Sequence, residues 1–161
     1  MRLLSTLFAL LAPFPAAALT CMPHSLEATY QEAMAAEEIY HVVHGRLTFD
    51  PQRLPKVDLT RQQDIPPLTR LAARLEGMAL AEQGFKLPFE RDITLEAACY
   101  GPWCASAETG QDVLAFVRKT PEGHVLETNP CGGFLFSTPK PALLRKVQAC
   151  FAGENCEPAP R

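Results

Sequence analysis

Apolar residues recur along this chain in two rhythms. Between Ser25 and Glu38, Leu26, Tyr30 and Met34 come four apart, the spacing that lays a stripe along one face of a helix. Ser25 is placed to cap that helix, and Glu27 and Glu32 favour its N-terminal half. A second helix is predicted over Pro141–Phe151, where Leu143, Leu144, Val147 and Phe151 share a face and Pro141 is tolerated in the first turn.

Between them the rhythm changes to alternation. Ile39 to Phe49 is rich in β-branched and aromatic residues, as strands prefer. Counting by twos puts Ile39, His41, Val43, Leu47 and Phe49 on one face and Tyr40, Val42, His44, Arg46 and Thr48 on the other, with a bend expected at Gly45. Asp50 to Pro67 holds four prolines and few large apolar residues, and reads as a surface loop. Leu68 to Leu80 is contested. Its composition favours helix, yet Leu71, Ala73 and Leu75 alternate with Arg70, Arg74 and Glu76, and we assign a strand. Asp92–Cys99 and Asp112–Arg118 are the next strands. Pro121 to His124 is a turn, and Val125–Thr128 returns to complete a hairpin. Five strands framed by a helix near each end imply a mainly β fold, most simply closed as a small antiparallel barrel.

The N-terminus sets the expected compartment. Arg2, the apolar run Leu3–Phe14 and the small residues Ala16, Ala17 and Ala18 form the pattern of a secretory signal peptide over residues 1–18, cleaved after Ala18. That apolar run is too short for the ~20 residues of a membrane span, and no later segment is longer. Cys21 leaves a lipoprotein open as the alternative, although Ala18-Leu19-Thr20 is a poor lipid-modification site. Periplasmic or secreted localisation follows. Cleavage leaves one domain, residues 19–156, and a loose proline-rich tail, 157–161. It also removes Arg2, so that fourteen basic side chains face eighteen acidic ones. A mild negative charge with no polybasic run argues against nucleic acid and anionic membranes as partners.

Six cysteines remain: Cys21, Cys99, Cys104, Cys131, Cys150 and Cys156. An even number in an exported chain reads as three disulfides, with fifteen possible pairings. No Cys-x-x-Cys is present, which weakens zinc, covalent haem and thioredoxin-like chemistry alike.

The order of several short motifs resembles netrin-like domains, the OB-fold modules of tissue inhibitors of metalloproteinases and their bacterial relatives. These are Leu19-Thr-Cys21-Met-Pro23-His-Ser25 before the helix, the strand ending His44-Gly-Arg-Leu47, and Ile93-Thr-Leu-Glu-Ala-Ala-Cys99-Tyr-Gly101. Gly110-Gln-Asp-Val-Leu-Ala-Phe-Val117 and Thr128-Asn-Pro-Cys131 follow in the family's order. The resemblance spans roughly residues 19–136. It implies an OB-like five-stranded barrel and a pairing of Cys21 with Cys131, leaving Cys99 with Cys104 and Cys150 with Cys156. One departure is important. Inhibitors of this family open with Cys-x-Cys and chelate the protease zinc through the first cysteine's amine and carbonyl. Here Leu19 holds that position, so no disulfide would fix a chelating amine.

Few residues suggest chemistry. His41 and His44, three apart, fall on opposite faces of a strand, and the Glu of a His-Glu-x-x-His motif is missing. His24 and His124 read as loop residues. Gly132-Gly133 has no Walker-type Lys or Ser/Thr after it and reads as close packing beside a disulfide. No serine sits in a Gly-x-Ser-x-Gly setting, and neither Glu37-Glu38 nor Glu90 with Asp92 stands out as an acid–base couple. Tyr100 and Trp103, in the short loop between Cys99 and Cys104, are the candidate binding residues, together with the 50–67 loop. The expectation is therefore a non-catalytic, exported binding module with no metal, no cofactor and an unknown protein or small-ligand partner. The competing reading is a metalloprotease-inhibitor-like protein, and a periplasmic enzyme ranks below both.

Overall fold

The computed structural model describes residues 19–158; the expected signal peptide and the last three residues of the tail lie outside the described residues. Helix α1 covers Leu26–Ala35, and Ser25 caps it by accepting a hydrogen bond from the Ala28 amide at 3.3 Å. Seven strands follow: β1 Tyr40–Phe49, β2 Leu68–Ala81, β3 Gly84–Tyr100, β4 Trp103–Cys104, β5 Gln111–Thr120, β6 Gly123–Thr128 and β7 Leu135–Ser137. Helix α2, Pro141–Phe151, closes the chain.

The fold is mainly β with two helices, as expected, but it has seven strands rather than five. The additional two are β4 and β7, of two and three residues, too short to leave an alternation. The five longer strands pair in the order β1-β2-β3-β6-β5, and β5 pairs with β1 again, so the pairings return to their start. All are antiparallel except β3 with β6, which run parallel over Thr94–Ala97.

Alternation settles the contested segment. In β2, Leu71, Ala73 and Leu75 are buried while Arg70, Ala72 and Glu76 are exposed. Strand β3 begins at Gly84, eight residues before the predicted start at Asp92. Pro88 is tolerated there because this stretch bonds to β2 alone, and pairing with β6 starts at Thr94.

Two layers of packing meet on β5. Val113, Ala115 and Val117 are buried on one face with Val43, Leu47, Leu75, Leu95 and Leu126, while Leu114 and Phe116 are buried on the other face. There the Phe116 ring meets Tyr30 of α1 edge-on at 6.4 Å and packs on Phe134 and Phe136. The helices differ from expectation by one position each. Leu26, Thr29 and Ala33 are the buried residues of α1 and Met34 is exposed; Val147 and Cys150 are those of α2 and Phe151 is exposed. Lys146 of α2 bonds Glu27 of α1 at 2.6 Å, which holds the Glu27 carboxyl below its usual pKa.

At Gly45, where a bend was expected, β1 keeps an unbroken register and the glycine serves a close approach to its partner strand instead. It faces Gly77 across β1 and β2. A Cβ on Gly45 would lie 2.7 Å from the Gly77 Cα, and one on Gly77 2.5 Å from the Gly45 Cα. The two backbones touch because neither residue has a side chain.

Candidate functional site

The sequence places two conspicuous aromatics in the Cys99–Cys104 loop, and their position comes from β3. Cys99 pairs with Cys104 and Tyr100 with Trp103, so β4 folds straight back on the end of β3 through Gly101-Pro102. Gly101 takes φ +61°, a left-handed conformation that favours glycine at this turn. The Cys99–Cys104 disulfide locks the hairpin. Tyr100 and Trp103 remain 46% and 41% exposed, although both carry a large apolar surface.

A second disulfide, Cys21–Cys131, brings the N-terminal segment beside this hairpin and closes a separation of 110 residues. With Cys150–Cys156 it completes the pairing that the netrin-like resemblance implies. The residues around Cys131 are rigidly held. The Cys131 amide donates to Asn129 Oδ1 at 2.8 Å, and the buried Thr128 hydroxyl donates to the Gly132 carbonyl at 2.9 Å. His24 lies flat on Phe136 with ring centroids 4.0 Å apart, and its Nε2 donates to the Gly133 carbonyl at 2.8 Å. A Cβ on Gly132 would lie 2.4 Å from His24 Nδ1. His24 and the Gly132-Gly133 pair are therefore packing devices beside the disulfide.

The 50–67 loop forms the third wall. It contains two short 3₁₀ turns, Pro51–Arg53 and Gln62–Asp64. Asp50 accepts from the Gln52 amide at 3.0 Å. Asp58 accepts from the Thr60 hydroxyl and amide and from Arg61 Nε, and these bonds, the hydroxyl first, hold its carboxyl below its usual pKa. Polar residues thus satisfy one another within the loop, and Val57 and Leu59 are left outward, the latter 68% exposed.

Between these walls runs an open groove of about 550 Å³, lined by Leu19, Cys21, Pro55, Val57, Pro102, Trp103, Cys104, Ala105 and Pro130. Trp103 and the 50–67 loop are brought together as expected. Tyr100 is not: it opens onto a separate cleft with Leu68, Glu96 and Phe134. A third cleft, about 620 Å³, flanks the other side of the Cys21–Cys131 bridge, lined by His24, Cys131, Ser137, Thr138 and Lys140 among others. Of the ten large hydrophobic side chains exposed among the described residues, six (Met22, Val57, Leu59, Leu68, Tyr100 and Trp103) belong to the N-terminal segment, the loop with the start of β2, or this hairpin. Scattered exposed apolar residues need no explanation; a concentration of them does. Leu19 and Pro130 are not among the candidate binding residues of the sequence, because residues outside the periodic segments carry no signal of where folding will bring them.

The histidines of β1 part company as predicted. His44 packs on Phe85, and His41 on Phe89. His124, expected in a turn, is instead the second residue of β6 and faces Lys119 of β5. That register brings His124 to 5.7 Å from His41, a proximity no single strand could reveal. Burial lowers the pKa of both imidazoles, and Lys119 and Arg91 push in the same direction. Among the described residues no three His, Cys, Asp or Glu side chains are grouped to hold a metal ion, and no helix is long and apolar enough to cross a membrane.

Comparison with known proteins identifies no relative: no family model, no curated protein and no solved structure matches the chain.

Proposed function

We propose that this chain is an exported, non-catalytic binding module, built on a small barrel of the OB type, that engages its partner through the groove beside Trp103. The barrel reading is supported by strand pairings that return to β1 and by the single parallel contact of β3 with β6. Export is supported by three disulfides, which persist in oxidising compartments, and by the signal-peptide pattern of residues 1–18. The observation that carries the binding reading is the apolar groove itself. Half-exposed Trp103 with Pro102 and Pro130 is braced by two disulfides, and Pro55 and Val57 of the internally hydrogen-bonded loop complete the lining, so little freedom is lost when a partner seats there.

A metalloprotease-inhibitor role is the second reading. It is favoured by Leu19 and Cys21, which line the same groove, so a chain cleaved after Ala18 would present its amine there. Against it stands Leu19 in place of a bridged cysteine.

A photo-crosslinking residue placed at Trp103 or at Phe151 in exporting cells tests the module. One discrete adduct from position 103 and none from 151 is the expected result; no adduct, or the same ladder from both, removes the proposal. Intact mass of the recovered protein, with and without reductant, reports cleavage and three disulfides. Dose-dependent inhibition of a zinc-dependent protease by that protein would favour the second reading instead.

A further inference from the structure

Five side chains from four strands converge at the end of the ring away from Trp103. Strand register puts His41 (β1), Phe89 and Arg91 (β3), Lys119 (β5) and His124 (β6) on the inward face that carries Val43, Leu95, Val117 and Leu126 further in. Phe89 is buried, 5.8 Å from the His41 ring and 5.5 Å from the His124 ring, while the two imidazoles lie 5.7 Å apart. The three rings form a nearly equilateral plug. Arg91 stands over Phe89 with its Cζ 6.0 Å from the ring centre, and Lys119 is the direct cross-strand neighbour of His124.

The charges here are all of one sign. Neither Arg91 nor Lys119 has an ion-pair partner among the described residues, as Arg46, Arg53, Lys56, Lys86, Lys140 and Arg145 have none, while Arg61, Arg70, Arg74, Arg118 and Lys146 are bonded to carboxylates. The charged groups that act on His41 are Lys119 and Arg91; those that act on His124 are His41, Arg91 and Lys119. Neither imidazole makes a side-chain hydrogen bond within the described residues, and no buried side-chain nitrogen is left unpartnered, so the ring nitrogens reach solvent. A chain with more acidic than basic side chains thus gathers four basic ones with no carboxylate between them. Such a group repels a metal cation and attracts an anion.

We propose that this end of the ring is a proton-linked binding site for a small tetrahedral oxyanion, of the sulfate or phosphate class. Arg91 and Lys119 supply the standing charge and charge-assisted donors. His41 and His124 supply N–H donors that become cationic on protonation, and the apolar Phe89 floor limits screening from below. Proton uptake and anion binding then help each other. A bound anion offsets the repulsion that opposes protonation, and by linkage each proton taken up tightens the anion equally. The site is independent of the groove beside Trp103.

Inorganic sulfate is the probe, because its own charge is constant between pH 5 and 8. Imidazole NMR signals are followed during sulfate addition at pH 5.5 and 7.5, against sodium chloride at matched ionic strength. The expected result is a saturable shift of His41 and His124, with His24 and His44 as unmoved internal controls. Affinity should rise toward acid, by up to about tenfold per pH unit for one linked proton. Lys119→Gln, an exposed change that leaves strand pairing intact, should weaken sulfate binding about tenfold, while its unchanged melting temperature shows that the fold persists. Equal shifts with chloride, affinity that does not rise at pH 5.5, or wild-type affinity in Lys119→Gln would mean an adventitious ion only and would overturn the site.

Discussion

Two stretches of β3, its end at Cys99–Tyr100 and its middle at Phe89–Arg91, are finished in different ways. At Cys99–Tyr100 the strand runs into a disulfide-locked hairpin and, beside it, a second bridge pins the N-terminal segment; apolar side chains there are left in solvent. At Phe89–Arg91 there is no covalent tie. A buried ring fills the opening, and basic side chains surround it. The contrast teaches what each device permits. Covalent bracing lets the first stretch keep an apolar surface that would otherwise collapse inward, whereas the second buries its aromatic among basic side chains.

Removing each closure in turn sharpens that comparison. The largest effect is expected from the double change Cys21→Ala with Cys131→Ala. It frees a loop of 110 residues, which the chain-entropy model values at about 4–5 kcal/mol, read as a lowered denaturant midpoint. Phe89→Ala empties the second stretch and should cost about 3–4 kcal/mol. If it is instead neutral, the buried Phe89 ring contributes no packing there.

Acid distinguishes the two stretches next. His41 and His124 have folded-state pKa values below their unfolded ones, so their contribution to stability is complete above the unfolded value of about 6.5. It is lost as the pH falls from there through the folded values, because the unfolded chain takes up the protons first. Denaturant midpoints measured across pH 7.5 to 5 should fall for the wild type and fall less for His41→Gln with His124→Gln. Trp103→Ala should change stability least, within about 0.5 kcal/mol, because its half-exposed ring supports little of the core; a cost above 2 kcal/mol would make Trp103 a structural cap and not a contact residue.

Much of this architecture is legible in one dimension, because burial on one face imprints alternation on a strand. Leu71, Ala73 and Leu75 outweighed a helix-favouring composition in this way. Where both faces are covered the imprint fades: β5 buries Val113 to Val117 without a gap and is recognised by its apolar run alone. Stripes on the helices slipped by a residue because Ala33 and Cys150 are small and fit the contact better than Met34 and Phe151, which stay outside. The first half of β3 was hidden by Pro88, and β4 and β7 are too short to show any period. The candidate surface was half visible, since Trp103 between two cysteines stands out, while Val57 and Leu19 join it only through folding. The His41–His124 pair was invisible for a related reason. Eighty-odd residues separate the two, and only the register of β1, β5 and β6 makes them neighbours.

The glycine contact between β1 and β2 has a consequence for how this chain can vary. When two bulky residues collide, one may shrink to make room for the other, and paired changes of that sort let sequences drift. Gly45 and Gly77 have already shrunk as far as chemistry allows, so a methyl group added to either meets backbone that has nothing left to give up. Each position vetoes every alternative at the other, and this crossing is a point where descendants of the sequence have no second solution.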